Sequence, residues 1–216
     1  HIKMEPATFS QVERPKMNLP QIIKSLKGQS FFLKLVFTAA VWNFAINISG
    51  PFFSVRMLQD LRFTAATIGL LAVVQGVSTL LVQNQLGAFS DRLGARKLQL
   101  FGMILIPLLP LAWAIATQAW QIAIINTFAG VVWAAFNLAS FNLLLESMPS
   151  NQVPVYTAVY QVVVALSLAL GALVGSVVIA HWGFVAVMIA SAAIRWVATG
   201  LFGKLVPQAK QSTAQV

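Results

Sequence analysis

The sequence predicts an all-α membrane protein built from six transmembrane helices. Composition is the first observation that points there. Of 216 residues, 58% are hydrophobic and only 9% are charged, whereas a soluble domain carries about 25% charged residues. The spacing of charge is the second. No Asp, Glu, Lys or Arg occurs between Lys97 and Glu146, nor between Glu146 and Arg195, and each gap is 48 residues long. A helix crossing the roughly 30 Å hydrocarbon layer needs about 20 residues, so each gap holds two crossings and a turn. A soluble fold would have to bury both gaps without a charged face, whereas a bilayer demands such stretches.

The elements follow in order. Residues 1–29 are polar and basic, with Pro6, Pro15 and Pro20, and read as a cytoplasmic arm or linker. At its end, Leu19, Ile22, Ile23 and Leu26 keep helical spacing while Lys24 and Lys27 face away. Asn18 can cap this turn and Pro20 suits its start. It reads either as a short amphipathic helix on the anionic inner leaflet or as an ordered linker turn. Apolar segments follow over 31–55, 67–86, 98–116, 120–145, 155–180 and 184–205, making a 30–206 bundle, and 207–216 reads as a cytoplasmic tail. Pro107 and Pro110 should bend the third segment, as Pro51 should the outer end of the first. Pro149 and Pro154 stop the fourth and start the fifth.

Loop charge sets the orientation. The arm, the stretch 87–97 and the tail hold most of the Lys and Arg. The opposite loops hold Arg56 and Arg62, then no basic residue, then only His181. Both termini are therefore expected in the cytoplasm, in a plasma (inner) membrane. Lys34 can snorkel to that same surface.

Polar residues are concentrated in four of the six segments. Asn43 and Asn47 lie one turn apart. Gln75, Thr79 and Gln83 step by four. Asn126, Trp133 and Asn137 share a face, as do Tyr156, Tyr160 and Ser167. The third segment carries only Gln99, and the sixth only Arg195 as a strong polar group. Bare amides facing lipid would each cost kilocalories, so these faces look at protein or water. Each amide taken alone has a second reading, as a hydrogen-bonding link between helices. Arg195 near mid-span either reaches toward the headgroups or pairs inside the bundle. No Asp or Glu occupies the middle of a span, and a neutral, aromatic, amide-lined face suits a neutral or amphipathic solute.

Several function classes are disfavoured. No cysteine is present, so there are no disulfides or thiolate sites. The net charge of +9 lies in the arm and loops rather than in a stripe with interleaved aromatics, which argues against nucleic acid. An intramembrane enzyme needs a buried Ser-His pair, paired acids or a metal cluster. The only histidines, His1 and His181, lie outside the spans. No cofactor or metal is expected, and no filter-like loop suggests a channel. The start at His1, without a signal-peptide pattern, suggests a fragment or processed product. A non-transporting scaffold or inactive fragment stays as the alternative to a transporter.

Residues 87–97 read Gly87-Ala-Phe-Ser-Asp91-Arg92-Leu-Gly94-Ala95-Arg96-Lys97. This stretch resembles the loop motif of the major facilitator superfamily, which joins the second and third helices of each six-helix half. Here it joins the second and third apolar segments. The resemblance implies a 3+3 inverted repeat forming half of a twelve-helix fold, here the second half, with an N-terminal six-helix half as partner in the same or a separate chain. It implies a small-molecule substrate moved by alternating access, with helices one, two, four and five of each half lining the pathway. Those are the segments that are polar here. By resemblance, Gly87 would allow close helix approach, and Asp91 would sit at a helix N-terminus of the opposite half. Arg92 would pair with Asp91 or a nearby acid, and Gly94 would make the tight turn. Ala95 departs from the usual Arg, while Arg96 and Lys97 keep the basic positions. Glu146 is the only acid on the same side within the bundle, so a pair with Arg92 or Arg96 is expected. The arm is similar to the family's central linker, and Pro51-Phe-Phe with Asn47 resembles the outer end of the seventh helix. Gly171 and Gly175 form a Gly-xxx-Gly frame that reads as close helix packing.

Overall fold

A computed structural model describes residues 25–26, 28–150 and 152–207. Most of the amphipathic turn over 18–28, the rest of the arm before it and nearly all of the tail, Lys210 included, lie outside the described residues. Among the described residues all regular structure is helical. Helix α1 spans Ser30–Val55 and runs into a π-helical turn at Arg56–Asp60. Helix α2 spans Ala65–Leu93, α3 Ala95–Leu105, α4 Leu108–Ile115, α5 Ala119–Glu146 and α6 Val153–Leu205. Taking α3 and α4 as one span, five stretches are long and apolar enough to cross a membrane.

Local chemistry explains the boundaries. Thr64 is extended, and its hydroxyl accepts the Thr67 N–H at 3.2 Å, capping α2. Gln118 and Gln121 form a reciprocal capping box that starts α5. The third span breaks at the expected place into α3 and α4, although Ile106 and Pro107 between them keep helical torsions. Pro107 has no N–H to give and ends α3 at a turn, while Pro110 falls in the first turn of α4, where donors lack partners anyway. Pro51 is accommodated inside α1, which continues to Val55.

One expected feature is corrected. The stretch 87–97 is not an open loop: α2 remains helical through Leu93, and only Gly94, at φ 81°, separates it from α3. Residues 88–93 hold no proline or glycine, so the helix has little reason to unwind before Gly94. The expected fifth and sixth helices are the two limbs 153–182 and 184–205, which meet directly at Gly183, at φ 79° and ψ −178°, with no loop between them. Both glycines hold backbone conformations that a side chain would oppose.

Element α6 is nonetheless folded back on itself. A straight helix would place residues 171 and 191 about 30 Å apart. Yet Gly171 sits against Phe44 and Gly175 against Ile48, while the Ser191 hydroxyl donates to the Ala45 carbonyl at 2.6 Å. Both limbs, 153–182 and 184–205, therefore grip the same turns of α1, and Gly183 is the corner. The Gly-xxx-Gly frame does what its spacing predicts, bringing the first limb onto the α1 backbone.

The core has two main centres. One, at the Gly94 end, gathers Phe32, Trp42, Met103, Leu143, Tyr156 and Phe202. The other, at the end of the π-helical turn, gathers Ile48, Leu71, Trp113, Ile122 and Met188. Helix α2 buries only Leu71, Ser78 and Ser90, and the first limb of α6 only Tyr156, Ser167, Gly171 and Gly175. Their remaining apolar side chains point outward, with Leu80 70% and Leu81 71% exposed. An outside this apolar belongs in lipid or against more protein.

Candidate functional site

Among the described residues two cavities stand out between the helices, one toward each end. The first, about 280 Å³, opens toward the Gly94 end between α1, α3, α5 and the first limb of α6. Thr38, Trp42, Asn43, Gln99, Asn137, Ser140, Tyr160 and Gln161 supply its polar lining. The second, about 340 Å³, lies toward the π-helical turn. Its walls include Phe53, Gln75, Trp113, Asn126, Trp133 and Arg195. Between them stands an aromatic partition. Trp42 and Phe136 pack at 5.2 Å between ring centroids, and Phe136 meets Trp133 edge-on at 5.6 Å. Trp42 and Phe136 face the first cavity, and Trp133 faces the second.

The residues expected on the pathway divide into three groups. Asn43, Asn137 and Tyr160 line the first cavity, and Gln75, Asn126 and Trp133 line the second. Asn43 returns one amide hydrogen to the Ala39 carbonyl of its own helix at 2.8 Å. Asn126 is buried and donates to the Leu71 carbonyl at 2.9 Å, so it links α5 to α2 while also walling the cavity. Asn47 faces neither cavity and donates to the Leu168 carbonyl at 2.6 Å, a helix-to-helix link. Tyr156 is fully buried, edge-on to Phe32, with its hydroxyl donating to the Ser25 carbonyl at 3.2 Å. Gln83 is exposed on α2 and lines neither cavity.

Some lining residues had only a faint signal in the sequence. Gln99 is the lone amide of the third segment, and its buried Oε1 finds no protein partner. Trp42 Nε1 is likewise buried and unpartnered. One acceptor and one donor thus stand unused in the lining of the first cavity. Only packing reveals this, since an isolated Gln or Trp in an apolar run has no periodicity.

The charged motif is arranged differently from the expectation. Asp91 and Arg92 are exposed in the last turn of α2, and an added Cβ on Gly87 would meet nothing within 4 Å. Among the described residues the only ion pair is Arg56–Asp60, at 2.9 Å, so Glu146 pairs with neither Arg92 nor Arg96. Arg96 instead donates through Nε to the Val206 carbonyl at 2.5 Å and through a terminal nitrogen to the Gly203 carbonyl at 2.8 Å. A guanidinium suits those carbonyls, which lack intrahelical partners and carry the negative end of the helix dipole. Glu146, at the end of α5, lies exposed.

Arg195 does not reach for the surface. It is 2% exposed, and one terminal nitrogen donates to the Ser49 hydroxyl at 2.9 Å and the Ile46 carbonyl at 3.3 Å. Ser49 and Ser191 meet at 3.0 Å beside it.

The comparisons with known proteins agree with this architecture. The family model described as Major Facilitator Superfamily matches residues 35–215. The chain is 29% identical over 194 residues to the "Multidrug resistance protein MdtG" of Serratia proteamaculans, covering 86% of this chain and 46% of the relative. It is 27% identical over 192 residues to the protein of that name from Enterobacter lignolyticus, covering 86% and 46%. Against the Salmonella typhimurium protein it is 26% identical over 191 residues, covering 86% and 47%. The chain thus spans about half the length of the curated relatives it matches. With the family model covering most of its length, and with helices that present apolar faces outward, the chain is a multi-pass membrane protein that belongs to the Major Facilitator Superfamily.

Proposed function

We propose that this chain is one half, the second, of a secondary transporter that moves a small neutral or amphipathic solute by alternating access. Counting each limb of α6 as one crossing makes six, arranged as a 3+3 inverted repeat. The observation that carries the reading is the pair of cavities. They lie toward opposite ends of the bundle, separated by Trp42, Phe136 and Trp133. At about 280 and 340 Å³ they stand just below and at the bottom of the roughly 300–1,000 Å³ range of ligand pockets, which suits half-cavities completed by another six helices. The unused Trp42 donor and Gln99 acceptor suit a neutral polar group. The outward apolar faces of α2 and of the first α6 limb are the surface we assign to the N-terminal half. Exposed Asp91 and Arg92, with half-buried Gly87, at the end of α2 would meet that half at a gating contact closed by Arg96 and Gly94. Both termini are assigned to the cytoplasm of a plasma (inner) membrane.

The first test is the mass of the native protein in its source membrane, read with an antibody to residues 1–29. The second is solute flux in proteoliposomes holding that native protein. Asn43→Leu with Asn137→Leu should abolish flux of the transported solute and leave the melting temperature within a few degrees. Flux unchanged in that double variant would sink the assignment of the first cavity to the pathway.

A further inference from the structure

The second cavity holds a charge that the bundle leaves without a counter-charge. Arg195 lines it and is 2% exposed. A guanidinium offers five N–H donors. The two bonds it makes both run through one terminal nitrogen, to neutral acceptors, while Nε is buried without a protein partner. Among the described residues no carboxylate lines this cavity. A buried cation without an ion-pair partner in a membrane interior is expensive unless something negative meets it.

The rest of the wall says what that partner looks like. Trp113, Trp133 and Phe53 offer flat apolar surface, and Gln75 and Asn126 offer amides. We infer that Arg195 binds the acidic head of an amphipathic solute, a monocarboxylate whose apolar body lies against Trp113 and Trp133. The planar fork of the guanidinium matches a carboxylate in two-point contact. Ser49 and Ser191 hold the fork from behind: Ser49 accepts from it, and Ser191 is tied to the Ala45 carbonyl. The same charge repels a cationic solute, so the cavity discriminates by sign as well as by size. This rests on the transporter reading only in naming the solute. It is tested at equilibrium, without transport, so the two can fail separately.

The probes are 1-naphthaleneacetate and its neutral amide, which share an apolar body and differ in charge. Binding to the detergent-purified native protein is measured by equilibrium dialysis. The wild type should bind the carboxylate at least about tenfold tighter than the amide, as a charge-assisted bond requires. Arg195→Gln should erase that preference, with the amide's affinity unchanged, and Arg195→Lys should keep part of it. Trp133→Leu should weaken both probes alike, placing them in this cavity even if Arg195→Gln fails to fold. Equal binding of the two probes by the wild type overturns the proposal, and would mean that an acidic side chain elsewhere in the protein already occupies Arg195. So does a preference that survives Arg195→Gln.

Discussion

Replacing Gly171 by alanine tests the closest helix contact in the bundle. An added Cβ would stand 3.2 Å from Asn47 Cβ and 3.2 Å from the Phe44 carbonyl carbon, and nearer still to the carbonyl oxygen, whereas ordinary contact begins at 3.4 Å. The obstacle is backbone in the middle of a helix, which cannot rotate aside. The first limb of α6 must therefore move off α1 by on the order of 1 Å, as close-packed interiors do when overfilled. That shift also stretches the 2.6 Å bond from Asn47 to the Leu168 carbonyl, made in the same interface. Overpacking of this kind costs about 1–3 kcal/mol, and the better helix propensity of alanine returns at most about 1 kcal/mol. For a chain of this size a net loss of about 1–2 kcal/mol lowers the melting temperature by roughly 2–8 °C. The assay is thermal unfolding of detergent-purified protein, followed by fluorescence-detected size exclusion. Gly76→Ala is the control, because a Cβ there meets nothing within 4 Å. A Gly171→Ala protein that melts with the wild type, or a control that falls equally, would refute this account of the α1–α6 interface.

Four further outcomes follow from single contacts. Arg96→Ala removes both donors from the Gly203 and Val206 carbonyls, so amide hydrogen exchange over 203–206 should quicken severalfold while α5 is unaffected. Charge exchange between Arg96 and Glu146 should rescue nothing, since the structure pairs Arg96 with carbonyls; restored function in the double variant would contradict that. Gly183→Ala forces a side chain into a left-handed corner, at a cost of about 1–3 kcal/mol, and should lower the melting temperature more than Gly200→Ala, where a Cβ meets nothing within 4 Å. Asn126→Leu breaks the bond to the Leu71 carbonyl. By the averages for buried bonds between membrane helices, it should lose only about 0.6 kcal/mol, so a large loss of flux at near-normal stability would mark Asn126 as a solute contact.

Sequence alone determined the solvent of this protein and the approximate extent of its helices. Two 48-residue stretches without charge admit no other medium, because helices must satisfy their own backbone when water is absent. It also marked Gly94 as a turn and Gly171 with Gly175 as a packing surface, since a glycine at the end of a charged run or at helical spacing has few other uses. Sequence could not decide what the polar residues do. Asn43 and Asn47 have the same chemistry and lie one turn apart, yet one lines a cavity while the other binds the Leu168 carbonyl 121 positions away. Tyr156 and Tyr160 divide in the same way between core and cavity. The partner of Arg96 was equally hidden: formal charge pointed to Glu146, but a helix C-terminus carries no charged letter in the sequence. Arg195 was legible as costly but not as inward-facing. These outcomes depend on which helix lies opposite each face. That is a property of tertiary packing, because a helical period fixes only which residues share a face.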